Sequence, residues 1–175
     1  MPFFWIDLEM TGLDETKDSI LEVAVLVTDL DFNVVEEYDR VVFQTLDILE
    51  SMNAWCKKTH GESGLTTKVK DGMALPQVES EMLALINRHF KPEDKVVLCG
   101  NSIGNDRRFV DKYLPGVAKR LHYRMVDVSS FKEIFRDKFG IKVKKKETHR
   151  ALDDIQESID ELKTYLKYVQ VPMKK

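Results

Sequence analysis

The period of the apolar positions changes along this chain, and those changes outline a fold. Residues 3–10 (FFWIDLEM) carry apolar side chains on both sides of two acids and predict a buried strand. Residues 20–30 (ILEVAVLVTDL) are β-branched and apolar almost throughout, which predicts a second strand. Thr11-Gly12-Leu13-Asp14 between them is turn chemistry. Residues 33–44 (NVVEEYDRVVFQ) predict a third strand, joined to the second by the short 31–33 connection. Three strands in succession with short links predict an antiparallel meander. From 46 to 70 the pattern turns to short helical pieces around Trp55 and Leu65. A longer helix follows over 76–90, where Val78, Met82, Leu85, Ile86 and Phe90 recur at helical spacing behind Pro76. Residues 95–99 (KVVLC) predict a short buried strand ending at Gly100, and 102–113 a helix that stops before Pro115. A fifth strand is expected over 123–128, a helix over 129–139 closed by Gly140, and a last helix over 150–169.

A run of strands followed by alternating helices and strands gives an α/β fold. The expected sheet is mixed and five-stranded, with three antiparallel strands first, then two parallel ones, and helices on its faces. That order of elements matches the ribonuclease H-like architecture. No repeat, low-complexity tract or linker divides the chain, so residues 1–175 are expected to form a single domain, with 170–175 as a flexible tail. A chain of 175 residues is long enough to bury a sizeable core. Its 43% hydrophobic and 33% charged residues fit a soluble globule with a well-charged surface. The apolar stretch near the start, 3–8, is short, lacks a basic flank and contains Asp7, unlike a secretory leader. No segment approaches the roughly 18–20 apolar residues of a membrane span. A cytoplasmic protein without membrane association is therefore expected.

Cys56 and Cys99 are far apart with no CxxC partner, which excludes a cysteine zinc site and predicts free thiols in a reducing compartment. The net charge of −3 counts against a protein that grips long nucleic acid by neutralising many phosphates. It leaves room for a short substrate held by cations. The basic run Lys142, Lys144, Lys145, Lys146 is the local exception, readable as a solvated loop or as an element that steers substrate.

The chemistry lies in acids scattered along the chain. Asp7 and Glu9 are two apart on a strand, so they share a face, about 7 Å apart at the backbone. Buried together, like charges of this kind push a pKa upward unless a cation joins them. Asp106 falls in the first turns of a helix that leaves the end of a core strand, where an α/β sheet exposes its site. On the last helix, Leu152, Ile155, Ile159, Leu162, Leu166 and Val169 form the apolar stripe. Asp154 lies roughly 110° and Asp153 roughly 150° from its centre. Asp154 is thus the one able to reach the sheet, and His149 stands where the chain enters that helix. An all-oxygen ligand set suits magnesium or manganese better than zinc.

WIDLEMTGLD, GNSIGNDRRF, HYRMVDVSSFKE and THRALDD, in this order, closely resemble the oligoribonuclease family, DEDDh-type 3′-to-5′ exoribonucleases of ribonuclease H-like fold. The resemblance runs over roughly residues 4–168, and the spacing of His149 and Asp154 is that of the histidine variant. It implies that Asp7, Glu9, Asp106 and Asp154 hold two divalent ions, Mg²⁺ or Mn²⁺, with Asp7 bridging them, and that His149 is the general base acting on the attacking water. It further implies that Leu13 wedges between bases and Trp55 stacks on one. His60, Ser102 and Arg124 would hold the 5′ phosphate, and Tyr123 would come from the partner subunit of a homodimer. The expected reaction is hydrolysis of RNAs of about two to five nucleotides, dinucleotides above all, to nucleoside 5′-monophosphates. Two alternatives stand beside it: a DEDDh exonuclease acting on single-stranded DNA, as in proofreading, and a ribonuclease H-like module that binds without cleaving.

Overall fold

The computed structural model describes residues 1–143 and 150–170. Lys144, Lys145, Lys146 and His149 lie outside the described residues, as does 171–175 of the expected tail.

The strands form one sheet of order β3-β2-β1-β4-β5, built from β1 (Phe3–Met10), β2 (Ile20–Thr28), β3 (Val34–Val41), β4 (Val96–Gly100) and β5 (Leu121–Asp127). The first three strands pair antiparallel as a meander, with Asp7 opposite Ala24 and Glu9 opposite Glu22. β4 then runs parallel to β1 and β5 parallel to β4, placing Trp5 beside Cys99 and Gly100 beside Asp127. This is the mixed, five-stranded α/β sheet expected from the order of apolar patterns.

Each face of the sheet buries its own layer. On one, Phe4, Ile6, Leu8, Val23, Val25 and Val27 pack with Val78, Met82, Leu85 and Ile86 of α4 (Leu75–His89), Phe109 and Val110 of α5 (Gly104–Tyr113), and Val117 of α6 (Pro115–Arg120). On the other, Trp5, Ala24, Leu26 and Cys99 meet Val128 and Phe135 of α7 (Val128–Phe139) and Ile155, Ile159 and Leu162 of α8 (Ala151–Leu166). Coverage on both faces explains why β2 is buried along its whole length and reads as a nearly continuous apolar run rather than an alternating one. A smaller cluster joins Leu21 to the short helices α1 (Leu46–Ser51), α2 (Ala54–Glu62) and α3 (Leu65–Val69). Cys56 and Cys99 are both free and buried.

Three elements differ from the sequence reading. Pro115 does not simply stop the chain, because it occupies the start of the extra helix α6, where its missing N–H costs nothing. The fifth strand begins at Leu121 rather than 123. The last helix ends at Leu166, and its buried face runs through Ala151, Ile155, Ser158, Ile159, Leu162 and Tyr165. Leu166 and Val169 stay exposed. Tyr165 can enter the core because its hydroxyl donates to Glu161 at 2.7 Å.

Candidate active site

Strands β1, β4 and β5 run in the same direction, and the chemistry gathers at their C-terminal ends. Asp7 and Glu9 leave the end of β1 on the face covered by α8. Carboxylate oxygens of Asp7, Glu9 and Asp154 lie within 4.8 Å of one another, although more than half the chain separates Asp154 from the other two. Asp153 is exposed and falls outside this cluster, whereas Asp154 is half-buried. Asp106 is buried in the first turn of α5, and its Oδ1 accepts the N–H of Leu8 at 3.0 Å. That bond ties the start of α5 to the strand residue between Asp7 and Glu9.

The electrostatics are those of crowded, partly buried carboxylates. Burial, and after it the Asp154, Glu22 and Asp106 charges, push Glu9 up to about 8, while Arg150 pulls in the opposite direction. Burial likewise raises Asp106 above the usual carboxylate range, against the pull of the Leu8 N–H. Carboxylates held this close stabilise a divalent cation and repel each other without one. An oxygen-only donor set of this kind fits Mg²⁺ or Mn²⁺. His149 lies outside the described residues.

The other expected site residues fall into separate groups. Leu13 is 61% and Trp55 63% exposed, among several large apolar side chains of this domain that reach solvent. Leu13 sits in a turn held by Asp18, which accepts from the Thr11 hydroxyl at 3.0 Å and the Asp14 N–H at 2.9 Å. Arg108 of α5 pins the same turn through Glu15 and the Leu13 carbonyl. Trp55 opens α2, whose N-cap Asn53 accepts the Cys56 N–H. His60, on the same helix, is buried. Its Nε2 donates to the Met10 carbonyl at 2.9 Å, and its Nδ1 is 3.8 Å from the Glu9 carboxylate. The ring therefore stands beside the acids.

Ser102 occupies the turn between β4 and α5 with φ +54°, a left-handed conformation. Its N–H bonds Asp127 Oδ1, which also accepts from Ser129, so one carboxylate links the β4–α5 and β5–α7 junctions. Tyr123 and Arg124 are not brought to the carboxylate end of this chain. They lie on the edge strand β5 ahead of Met125, which pairs with Leu98. Tyr123 is 74% exposed, with the Arg124 guanidinium over its ring.

Sequence reasoning missed Glu22, Arg150 and Asp127. Glu22 is an acid inside an apolar strand with 1% of its side chain exposed, paired with Arg150 at the start of α8. The signal was there: a carboxylate in an otherwise unbroken buried run requires a partner.

A mixed sheet in this order, with acids from β1, α5 and α8 at one end, is the frame of a ribonuclease H-like exonuclease, and the exonuclease (RNase_T) family model matches residues 4–162. Among solved structures, exonuclease I from Methylocaldum szegediense superposes with a TM-score of 0.73 at 16% identity, and Escherichia coli exonuclease I with 0.71 at 13%. These matches cover 97% and 95% of this chain but 41% of each of those longer chains, and they show a shared fold. The sequence relatives are closer. The chain is 47% identical over 167 residues to the mitochondrial oligoribonuclease of Bos taurus, a match covering 92% of this chain and 70% of that protein. It is 46% identical over 165 residues to the oligoribonuclease of Francisella tularensis, covering 92% of both. The chain belongs to the oligoribonuclease family.

Proposed function

We propose that this nuclease removes nucleotides from the 3′ end of RNAs of about two to five residues, with dinucleotides the best substrates, and releases nucleoside 5′-monophosphates. The convergence of Asp7, Glu9 and Asp154 within 4.8 Å carries this reading, because such a cluster serves phosphodiester chemistry when it holds divalent cations. Asp7, Glu9, Asp106 and Asp154 would hold two Mg²⁺ or Mn²⁺ ions. Bound there, the ions would supply charge to the developing phosphoryl oxygens and make water more acidic.

The chain's own residues do the rest. His149 accepts the proton of the attacking water, a contribution typically worth about 10²–10⁴-fold. Trp55 stacks on a base and Leu13 wedges beside one. Contacts of this type read no sequence, which suits an enzyme that accepts any short RNA. The 5′ phosphate is assigned to Ser102, whose side chain is exposed, and His60, whose buried ring stands beside Glu9, together with Arg124 of the partner subunit, because Arg124, like Tyr123, lies away from its own chain's acids. A contact to a terminal phosphate favours chains short enough to span the distance from cap to acids. The exposed edge strand carrying Tyr123 supports a homodimer in which Tyr123 completes the partner's site.

Among the described residues no helix is long and apolar enough to cross a membrane. Cytoplasmic residence is part of the proposal, and the mitochondrial name of the Bos taurus relative marks its alternative. The test is product length against time on 5′-phosphorylated RNAs of two to seven nucleotides, with Mg²⁺ or Mn²⁺, beside a deoxy strand of matching length. Fastest loss of the dinucleotide is expected. Faster turnover of the DNA than of the RNA, or an intact dinucleotide, would reject the assignment. Glu9→Ala should bind short RNA without cleaving it. An inactive parent protein that still binds RNA would make the chain a binding module.

A further inference from the structure

Next to the carboxylate cluster lies a second set of charges that the roles above leave unused. Glu22 stands directly across from Glu9 in the β1–β2 ladder, so both side chains leave the sheet on the face that α8 covers. Arg150, the N-cap residue of α8, meets Glu22 with a fork. Its Nε lies 3.2 Å from each carboxylate oxygen and its Nη2 2.5 Å from Oε1. Glu22 Oε2 also accepts the N–H of Ala151 at 3.3 Å. The guanidinium reaches on to Asp39 of β3 at 3.9 Å. One buried carboxylate on β2 thus holds both the side chain and the backbone where α8 begins, and Asp154 follows in the first turn.

The apolar stripe of α8 fixes its distance from the sheet, but such contacts have no direction and tolerate small rotations and slides. A charge-assisted fork does have direction. It sets the rotation of the first turn, and that rotation decides whether the Asp154 carboxylate meets Asp7 and Glu9. Arg150 also balances Glu22, which would otherwise add another buried negative charge beside Glu9.

We infer that Glu22 and Arg150 form a positioning pair for the cation site, holding the start of α8 so that Asp154 completes the ligand set with Asp7 and Glu9. The inference rests on the reading of those carboxylates as cation ligands. Neither residue is placed against the reacting phosphodiester. The role calls for arginine, since lysine offers a point charge in place of a planar fork.

The test is Mn²⁺ binding by titration calorimetry on the full chain, on Arg150→Lys, and on the double variant Glu22→Gln with Arg150→Met. Each is measured well below its own thermal midpoint. The double variant removes both charges of the pair and so strands neither partner. It is expected to bind Mn²⁺ about 10–100-fold more weakly than the parent, the usual cost of losing an outer partner of metal ligands, with Arg150→Lys between the two. Variants that unfold at lower temperature yet match the parent's affinity within about twofold would make the pair a stabilising contact only and overturn the inference. If the double variant does not fold, parent-like affinity in Arg150→Lys overturns it alone. A parent that binds no Mn²⁺ would instead refute the reading of the carboxylates themselves.

Discussion

Replacing Glu9 by glutamine should stabilise the metal-free protein while destroying its activity. Burial and the surrounding acids raise Glu9 from 4.5 to about 8. Between those values the folded chain keeps a proton that the unfolded chain releases. The stability of the metal-free protein therefore falls as pH rises from about 4.5 and levels off above about 8. At about 1.4 kcal/mol per pH unit, the interval from 4.5 to pH 7 amounts to on the order of 3 kcal/mol of lost stability. Glutamine keeps the shape and removes the charge, so Glu9→Gln should recover about 2–3 kcal/mol at neutral pH, a midpoint rise of roughly 5–10 °C for a chain of this size. The assay is thermal unfolding in EDTA at pH 5, 7 and 8, then with Mn²⁺. The advantage of the variant should shrink below about 1 kcal/mol at pH 5, which is only about half a unit above the ordinary value of 4.5, so the unfolded parent gains little by releasing its proton. Added Mn²⁺ should stabilise the parent far more than the variant, because the ion binds the folded, deprotonated site. If the variant were no more stable than the parent in EDTA at pH 8, or if the gap ignored pH, the electrostatic reasoning would be wrong.

Other substitutions separate the roles proposed here. Trp55→Ala should raise KM for a dinucleotide by about 5–100-fold through lost stacking. Its unfolding midpoint should stay put, because the side chain is 63% exposed; a large fall would mark Trp55 as core. His149→Ala should lower kcat by about 10²–10⁴-fold while Mn²⁺ binding by calorimetry is retained, and loss of binding would make the histidine a ligand instead of a base. Gly12→Ala should disturb the Leu13 turn, because an added Cβ runs into the Asp18 carboxylate that holds it. The expected effect is about 1–2 kcal/mol of stability together with a higher KM, and an unchanged KM would detach the turn from substrate binding.

The architecture was legible because each element carries its own period. The turn from strands to helices after residue 45, the stripe of α4 and the i, i+2 relation of Asp7 and Glu9 are all local. The flank position of Asp154 was also local, since the first turn of α8 follows the stripe closely enough for helical geometry to place it. The far end of that helix misled, because Leu166 and Val169 keep the apolar rhythm beyond the point where the sheet supports it. Helix α6 was hidden for a different reason: one proline can stop a helix or start the next. Glu22 and Arg150 were half legible: a buried acid demands a partner, but which partner was not local. Their meaning depends on a contact between β2 and the start of α8, across most of the chain, and neither residue's neighbours in sequence announce it. Tyr123 and Arg124 sit on an edge strand with side chains in solvent, so the packing of this chain alone assigns them no role.

Anomalous diffraction from crystals grown with Mn²⁺ tests most directly whether these acids work as one cation site. Two peaks among Asp7, Glu9, Asp106 and Asp154, with Asp7 touching both, are expected. Manganese-saturated crystals with no ion density between those side chains would contradict it.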